Sequence, residues 1–404
     1  MFESALLQHL PASLAAAPRA IVAIPVRNEE DRIAACLNAL IAQKDTTGRP
    51  MAPGALGIVL LLNNCSDRTA TIARSRLVDS GNPFALVDVA LPPAQANAGF
   101  ARRMALDVAA IWLKRTGRTN GVLLTTDADS RVPSHWLART FAAIETGAGA
   151  VAGQVALDPS EADFLPEALK QRRARETAYE QALLELRGLI DPTSHDPWPN
   201  HWTASGASYA LTQGAYHAIG GLPFPASGED QALTAVLLRH DIPIRHDPDI
   251  VVVTSARLEG RARGGVADTM RMQCQHPDTP GDEKLEALPM ALRRFTWRRR
   301  LRRWHATAKV RQGAWRPALG LPRGGPASVG QTSFGALWAD IEATSPRLAR
   351  IPLHPSLMPL HIRAARALLA EARSAALIGR RKHRGDRPAY AAAGSDEQIV
   401  LALS

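Results

Sequence analysis

The sequence predicts an α/β protein with a predominantly parallel sheet and helices on both faces of that sheet. Short, continuous apolar runs alternate with amphipathic stretches along the first third of the chain. Continuous apolar runs are typical of strands buried on both faces. Strands that alternate with helices favour right-handed crossovers within one sheet. The predicted strands of this region are residues 20–25, 57–62, 84–91 and 121–126.

Helices are predicted between and after these strands. Ile33, Leu37 and Leu40 recur on one helical face, with Asn28 as the predicted N-cap and the acidic residues 29–31 in the first turn. A further strand is predicted to begin at residue 249 and to run into a basic loop. The other predicted helices are residues 99–115, 168–189, 228–241 and about 356–379.

The composition is that of a globular protein with a substantial core. Hydrophobic residues make up 46% of the chain and charged residues 21%, which argues against a disordered protein. Cys36, Cys65 and Cys274 are far apart and odd in number, so we expect a reducing compartment rather than a disulfide framework. No run approaches the roughly 20 apolar residues of a membrane span. The N-terminus lacks a basic n-region, so we expect a cytoplasmic protein.

Positive charge is concentrated in the last third of the chain. The net charge is +10, which favours an anionic partner, and residues 287–339 contain no acidic residue. The segment around Trp297 and Trp304 is rich in arginine. We consider three interpretations: a helix packed on the catalytic domain with its arginines in solvent, a helix on an anionic membrane surface, and a nucleic-acid contact. The first is favoured and nucleic acid is the least expected, which leaves peripheral attachment to the inner membrane face as the alternative.

Polar residues follow three of the predicted strands, at residues 25–29, 63–67 and 127–129. Ligands of parallel sheets bind beyond the carboxyl ends of the strands. One polar strand end would be a turn or a helix cap, but three at the same edge of a sheet indicate one site.

Asp127 and Asp129 form an Asp-x-Asp motif directly after a buried strand. Two such carboxylates can share a hard divalent cation, Mg²⁺ or Mn²⁺. They could instead form an acidic turn that caps the next helix. In a third interpretation Asp127 is the nucleophile of a haloacid-dehalogenase-type phosphatase, although that motif is expected on a first strand and this one lies on about the fourth.

Glu229 and Asp230 open a predicted helix after Gly228. Acidic residues favour a helix N-terminus for electrostatic reasons alone. A carboxylate in a partly dry cleft can also take the proton of an attacking hydroxyl. The segment itself leaves both interpretations open.

Four motifs in order, "IVAIPVRNEEDRIAACLNAL", "VLLLNNCSDRTATIA", "LLTTDADSRVPSHWL" and "GEDQALTAVLLRHD", resemble the nucleotide-sugar-dependent glycosyltransferases of the GT-A fold, in the inverting family two. The resemblance implies a Rossmann-type nucleotide-binding sheet. It implies a catalytic domain over residues 19–270, with a donor half at about 19–155 and an acceptor half at about 156–270. A lead-in at 1–18 precedes it, and a basic, partly helical region at 271–404 follows.

The same resemblance implies roles for individual residues. Asp129, with Asp127, is expected to hold Mg²⁺ or Mn²⁺, and Asp230 is expected to be the general base, with Glu229 beside it. Asn64 stands where the family commonly has aspartate, so the base of the donor stays open. The expected contacts to the nucleotide sugar are Pro25, Arg27, Glu29, Asn64, Arg102, Arg103, Asp127, Gly206, Ala207, Arg257 and Arg261.

The predicted function is transfer of a sugar from a nucleoside-diphosphate donor to an acceptor hydroxyl with inversion. A sugar-phosphate nucleotidyltransferase and a non-catalytic protein that binds a nucleotide sugar or an anionic surface are the alternatives. The Gln-x-x-Arg-Trp motif of the family's membrane-bound synthases is missing after residue 254, which argues against a processive polysaccharide synthase. His246 could be a third metal ligand, but a lone histidine near a turn is more often structural.

Overall fold

The computed structural model describes residues 17–225, 227–258, 265–307, 309–323 and 333–383. The chain divides into two compact units. The sheet unit runs to Leu165 and continues over Asn200–Arg271, and the helical unit consists of Pro166–Pro199 and the chain from Met272 onward.

Seven strands form a sheet in the described part of the sheet unit. They are β1 Ala20–Val26, β2 Leu56–Asn63, β3 Phe84–Val89, β4 Val122–Thr125, β5 Ala150–Leu157, β6 Tyr209–Thr212 and β7 Ile244–Thr254. Their order is β3-β2-β1-β4-β6-β5-β7. Only β6 runs antiparallel to its neighbours β4 and β5, and the remaining pairs are parallel. The predicted α/β class with a predominantly parallel sheet is therefore confirmed.

Twelve α-helices are present among the described residues. In chain order they are α1 Ile33–Ile41, α2 Thr69–Val78, α3 Ala98–Arg115, α4 Trp136–Glu145, α5 Pro159–Ala162, α6 Glu167–Ile190, α7 Gln213–Ala218, α8 Glu229–Arg239, α9 Val266–Gln275, α10 Leu288–Ala306, α11 Phe334–Thr344 and α12 Met358–His383.

Helices cover both faces of the sheet, as predicted. Successive side chains of a strand point to opposite faces, and β1 feeds two cores in this way. Ile21 and Ala23 pack with α3, α7 and α8. Val22 and Ile24 pack with α1, α2 and α4 on the other face. The continuous apolar runs in the sequence reflect this burial on both sides.

The predicted start of α1 is wrong. The helix begins at Ile33, after Arg32, and has no acidic residue in its first turn. Asn28 instead adopts a left-handed backbone conformation with φ 52°. Its side chain accepts a hydrogen bond from the Ser66 backbone N–H (2.8 Å) and donates to Ser66 Oγ (3.3 Å). The amide therefore joins the ends of two neighbouring strands rather than capping a helix.

In the helical unit, α6 packs against α10 and α12. Leu301 of α10 lies in an apolar cluster with Leu319, Trp338 and Ile341, and Trp297 and Trp304 pack against that cluster. Helix α6 belongs to this unit, although it lies within the predicted 156–270 segment.

Many arginines of α10 have protein partners, so the prediction of an arginine face in solvent is wrong for them. Arg294 is buried and forms two hydrogen bonds to Glu286, at 2.7 and 2.8 Å. Arg298 and Arg302 both pair with the buried Asp191. These side chains are structural. Within the described part of the chain, none of the helices has the length and apolar character needed to span a membrane.

Candidate functional site

The site forms where the polar strand ends meet. The carboxyl ends of β1, β2 and β4 lie at one edge of the sheet because these strands are parallel. β6 runs the opposite way, and its first residue, Tyr209, pairs with Thr125 at the end of β4. The turn that contains Gly206, just before β6, therefore lies at the same edge as Asp127.

Arg102 of α3 is the centre of the site. Its side chain is only 5% exposed, and all three of its nitrogen atoms are engaged. Nη2 donates to Asp127 Oδ1 at 2.7 Å, and Nη1 donates to Thr125 Oγ1 at 2.8 Å and to the Gly206 carbonyl at 2.9 Å. Nε lies 3.3 Å from Glu229 Oε1. Burial lowers the pKa of the guanidinium, but the nearby carboxylates outweigh it and raise that pKa, so Arg102 stays charged.

Asp230 lies beside this arginine network at the start of α8. Gly228, with φ 73°, precedes the helix. Asp230 Oδ2 accepts a hydrogen bond from the Gly206 backbone N–H (3.3 Å), and Oδ1 accepts one from the Gln231 N–H (2.8 Å). Burial raises the pKa of Asp230, and the charge of Glu229 raises it further. Asp230 therefore binds a proton more tightly than an ordinary aspartate, as a general base requires.

A second arginine, Arg257, holds the other acids of the site. Its Nη2 lies 2.9 Å from Glu29 Oε1 and 2.9 Å from Asp129 Oδ2. Asp129 Oδ1 also accepts a long hydrogen bond from Thr254 Oγ1 (3.3 Å). Burial, followed by the negative charge of Asp127, raises the pKa of Asp129 to about 6.

Asp127 and Asp129 fit a shared divalent cation. Carboxylate oxygens are the ligands that Mg²⁺ and Mn²⁺ prefer. Repulsion from Asp127 is the second cause, after burial, of the raised pKa of Asp129, and a cation between the two acids would relieve that repulsion. No group of three or more His, Cys, Asp or Glu side chains within the described ranges is arranged to hold a metal. Asp127 and Asp129 therefore stay the predicted ligands, and water or a bound anion would supply the others.

His246 does not join this pair. It pairs with Ala152 of β5, whereas Thr254, which contacts Asp129, pairs with Leu157. Five residues of extended strand span about 17 Å, which is too far for a shared cation. His246 instead stacks edge-on with His201, with ring centroids 5.4 Å apart.

The residues predicted to contact the nucleoside lie at the ends of β1 and β2. Pro25 is half-buried within β1, and Arg27 is exposed and donates to the Ala96 carbonyl at 3.0 Å. Asn64 has φ 52°. Its side chain exchanges two hydrogen bonds with the Leu91 backbone, at 3.0 and 3.1 Å. The amide that was expected to contact the base thus holds the end of β3.

Arg103 is not brought into the site. Its Nε donates to Asp107 at 2.7 Å and its Nη1 to the Leu222 carbonyl at 2.6 Å, and its guanidinium lies 4.8 Å from the centre of the Phe224 ring. Ala207 is buried in the turn before β6. Arg261 lies outside the described residues.

Sequence reasoning missed three polar residues of the site. Thr125 and Thr254 end the strands β4 and β7, and a polar residue at the end of an apolar run could have indicated both. Glu161 gave no signal. It accepts hydrogen bonds from Arg32 (2.6 Å) and from the Ala256 N–H (2.7 Å), and so fixes the backbone just before Arg257.

No protein-family model matches the sequence, and no curated protein matches it. The structure is similar to several solved structures at low identity. TarS residues 1–349 from S. aureus in complex with UDP is 14% identical, with a TM-score of 0.41 over 71% of this chain and 82% of that chain. The mannosyltransferase PcManGT from Pyrobaculum calidifontis in complex with GDP-Man and Mn²⁺ is 17% identical, with a TM-score of 0.39 over 99% of this chain and 90% of that chain.

Proposed function

We propose that this protein is a glycosyltransferase that moves a sugar from a nucleoside-diphosphate donor to an acceptor hydroxyl with inversion. The observation that carries the proposal is the convergence on Arg102. Asp127, a proposed metal ligand, contacts the Arg102 guanidinium. Glu229, which precedes the proposed general base Asp230, contacts the same guanidinium. A glycosyltransferase of this kind needs one acid to hold the metal at the donor and another to deprotonate the acceptor, both at the same edge of the sheet.

The donor side of the site consists of Asp127, Asp129 and Arg257. The two carboxylates would hold Mg²⁺ or Mn²⁺, which supplies positive charge to the leaving diphosphate. Arg257 adds a fixed positive charge at the same place. Glu29 is buried and bonded to both terminal nitrogens of Arg257, so its role is to orient that guanidinium.

The acceptor side consists of Asp230 and the turn at Gly206. Asp230 takes the proton of the acceptor hydroxyl, and the hydroxyl oxygen bonds to the anomeric carbon. The bond from that carbon to the diphosphate oxygen breaks on the opposite side, and the diphosphate leaves with the electron pair. The raised pKa of Asp230 suits the proton transfer at neutral pH.

The test is a panel of nucleotide sugars incubated with Mn²⁺, with Mg²⁺ or with a chelator. We expect release of the nucleoside diphosphate from one donor, slowly without an acceptor and faster with a sugar acceptor. Asp129→Ala and Asp230→Asn should each abolish turnover. Asp249→Asn is the control, because that side chain is 67% exposed and belongs to an ordinary surface ion pair.

Two outcomes would contradict the proposal. Release of pyrophosphate from a nucleoside triphosphate and a sugar phosphate would identify a nucleotidyltransferase. Tight binding of a nucleotide sugar, with no turnover by the wild-type protein under any condition, would identify a binding protein.

A further inference from the structure

Arg102 lies between the two sides of the proposed site, and its surroundings are unusual for an anion-binding arginine. It is buried on α3 and contacts groups from three other elements: Asp127 after β4, the Gly206 peptide before β6 and Glu229 on α8. An arginine that binds a ligand's phosphate needs free N–H groups directed into open space. Four of the five N–H groups of Arg102 have an acceptor, and the side chain is almost completely enclosed.

The backbone of Gly206 couples Arg102 to the proposed base. Its carbonyl accepts from Arg102 Nη1 at 2.9 Å, and its N–H donates to Asp230 Oδ2 at 3.3 Å. The two contacts lie on either side of one residue. A shift of the guanidinium therefore moves the hydrogen bond that orients the Asp230 carboxylate.

Glycine at position 206 is required by Arg102 and not by the backbone conformation. Gly206 is not among the residues with positive φ. A Cβ atom at this position would lie 2.4 Å from Arg102 Cζ and 2.5 Å from Nη2, which is closer than atoms in contact can approach. The guanidinium of Arg102 therefore occupies the space that a side chain at position 206 would need.

We propose that Arg102 is a positioning residue that fixes Asp127 and, through the Gly206 peptide, Asp230 in one geometry, and that it does not bind the donor. The inference rests on the proposed function, because it assigns Asp127 to the donor side and Asp230 to the acceptor side. It replaces the donor contact that the sequence predicted for Arg102.

The first test separates positioning from binding. Arg102→Lys keeps the charge but cannot reach Asp127, Gly206 and Glu229 together. We expect kcat to fall by about 10²-fold, since a small misplacement of catalytic groups has that effect. The donor KM and the Kd for the nucleoside diphosphate with Mn²⁺ should change less than about threefold, because only the transition-state geometry is lost. A rise in that Kd as large as the fall in kcat would overturn the inference.

The second test keeps arginine at position 102 but displaces its guanidinium. Gly206→Ala forces the guanidinium away from the peptide, so we expect a comparable loss of kcat, again with little change in the nucleotide Kd. Gly214→Ala is the matched control, because Gly214 is exposed and has no atom within 4 Å of an added Cβ. It should behave as wild type.

The double variant Arg102→Lys with Gly206→Ala tests the contact itself. If the guanidinium is what an alanine at 206 strikes, Gly206→Ala should cause a smaller fold-loss in the lysine background than alone. Where Gly206→Ala alone fails to fold, the double variant should fold. Independent, multiplicative losses would contradict the inference.

The two proposals fail in different ways. A wild-type protein without turnover on any donor refutes the proposed function. Thermal unfolding of the wild type, the Arg102→Lys and Gly206→Ala variants and the double variant then still measures the contact between residues 102 and 206. Unfolding temperatures that shift additively would refute the contact even if the enzyme is active.

Discussion

Asp230 is expected to give the protein an acid limb in its pH profile. Burial and the neighbouring Glu229 raise the pKa of this carboxyl above the ordinary 3.8. The base must be ionised to accept a proton, so kcat/KM should fall as the pH drops through that raised pKa, at a higher pH than for an exposed aspartate. A pH–rate profile with the identified donor measures it. An activity that stays constant down to about pH 4 would remove Asp230 from this role.

The same shift predicts an effect on stability. The folded state binds the Asp230 proton more tightly than the unfolded state. Its contribution to stability is therefore present at low pH and decreases as the pH rises above the unfolded value of 3.8. We expect Asp230→Asn to unfold at a higher temperature than wild type at pH 7.5, with a smaller difference near pH 4. An asparagine variant that is less stable at both pH values would show that the charge is well compensated.

Asp129 is expected to dominate binding of the cation. Asp129→Asn should weaken Mn²⁺ binding by at least about tenfold, because one of the two carboxylate ligands is lost. Titration of the protein with Mn²⁺ and a nucleoside diphosphate, followed by electron paramagnetic resonance, measures the change without any turnover. Asp249→Asn serves as the control. An unchanged Mn²⁺ affinity in Asp129→Asn would place the cation elsewhere or show that none is used.

The sequence could predict the acids of the site but not every arginine. Asp127 and Asp129 were predicted from their position at the end of a strand, and Asp230 was predicted from the resemblance to the family. Arg102 and Arg103 are neighbours in sequence and look equivalent there. Adjacent positions of an α-helix differ in direction by about 100°, so Arg102 points to the sheet edge whereas Arg103 points to Asp107 and Leu222. The side of the helix that faces a site depends on how α3 packs.

At the level of elements, continuous apolar runs predicted the first four strands but not β5 and β6, which lie between β4 and β7 in the sheet. β5 reads "AVAGQVAL", in which small residues weaken the apolar signal, and β6 has only four residues. The formation of both strands depends on pairing with strands that are distant in sequence. The antiparallel course of β6 is what brings Gly206 to the site, and no local pattern specifies it.

Helix α10 carries a row of exposed arginines that tests the predicted membrane partner. Arg293, Arg300 and Arg303 are exposed, and their spacing of seven and three residues places them on one side of the helix. Arg300 lies over Trp297 at 5.0 Å. Each such charge near an anionic surface contributes about 1 kcal/mol. Changing all three to Gln should therefore weaken sedimentation with vesicles containing phosphatidylglycerol by about 10²-fold or more.

The control for this experiment removes the same charge elsewhere. Arg74, Arg76 and Arg115 are exposed on α2 and α3, and their triple Gln variant should bind the vesicles like wild type. Vesicles of phosphatidylcholine alone should bind neither protein. Equal loss in both triple variants would mean that only net charge matters, and no binding by wild type would exclude this partner.

For the whole molecule, the division into two units does not follow the order of the chain. α6 lies between β5 and β6 in sequence, yet its Tyr179 hydroxyl donates to the Glu286 carbonyl at 2.8 Å and the helix packs with α10 and α12. Its amphipathic pattern predicts a helix but does not identify its partner. The predicted boundary at residues 270–271 stays a prediction. Helix α6 precedes that boundary in sequence but belongs to the helical unit.

The helical unit should depend on one buried ion pair for its stability. Burial lowers the pKa of Arg294, but Glu286 and Glu342 outweigh it and raise that pKa, so Arg294 stays charged. Glu286 is only 1% exposed, and its other cationic neighbour, Arg350, lies 3.8 Å away. Arg294→Met would leave that carboxylate poorly compensated, which costs about 3–5 kcal/mol in buried pairs.

Urea unfolding followed by circular dichroism measures this loss, with Arg373→Met as the control. Arg373 forms a pair of similar geometry with Glu185, but its side chain is 63% exposed, so its removal should cost less than about 1 kcal/mol. The double variant Arg294→Met with Glu286→Gln should recover part of the stability, because the buried charge is then gone. Equal losses for Arg294→Met and Arg373→Met would mean that water reaches Glu286. The arginines of α10 would then contribute to the surface of the helical unit and not to the stability of its buried interior.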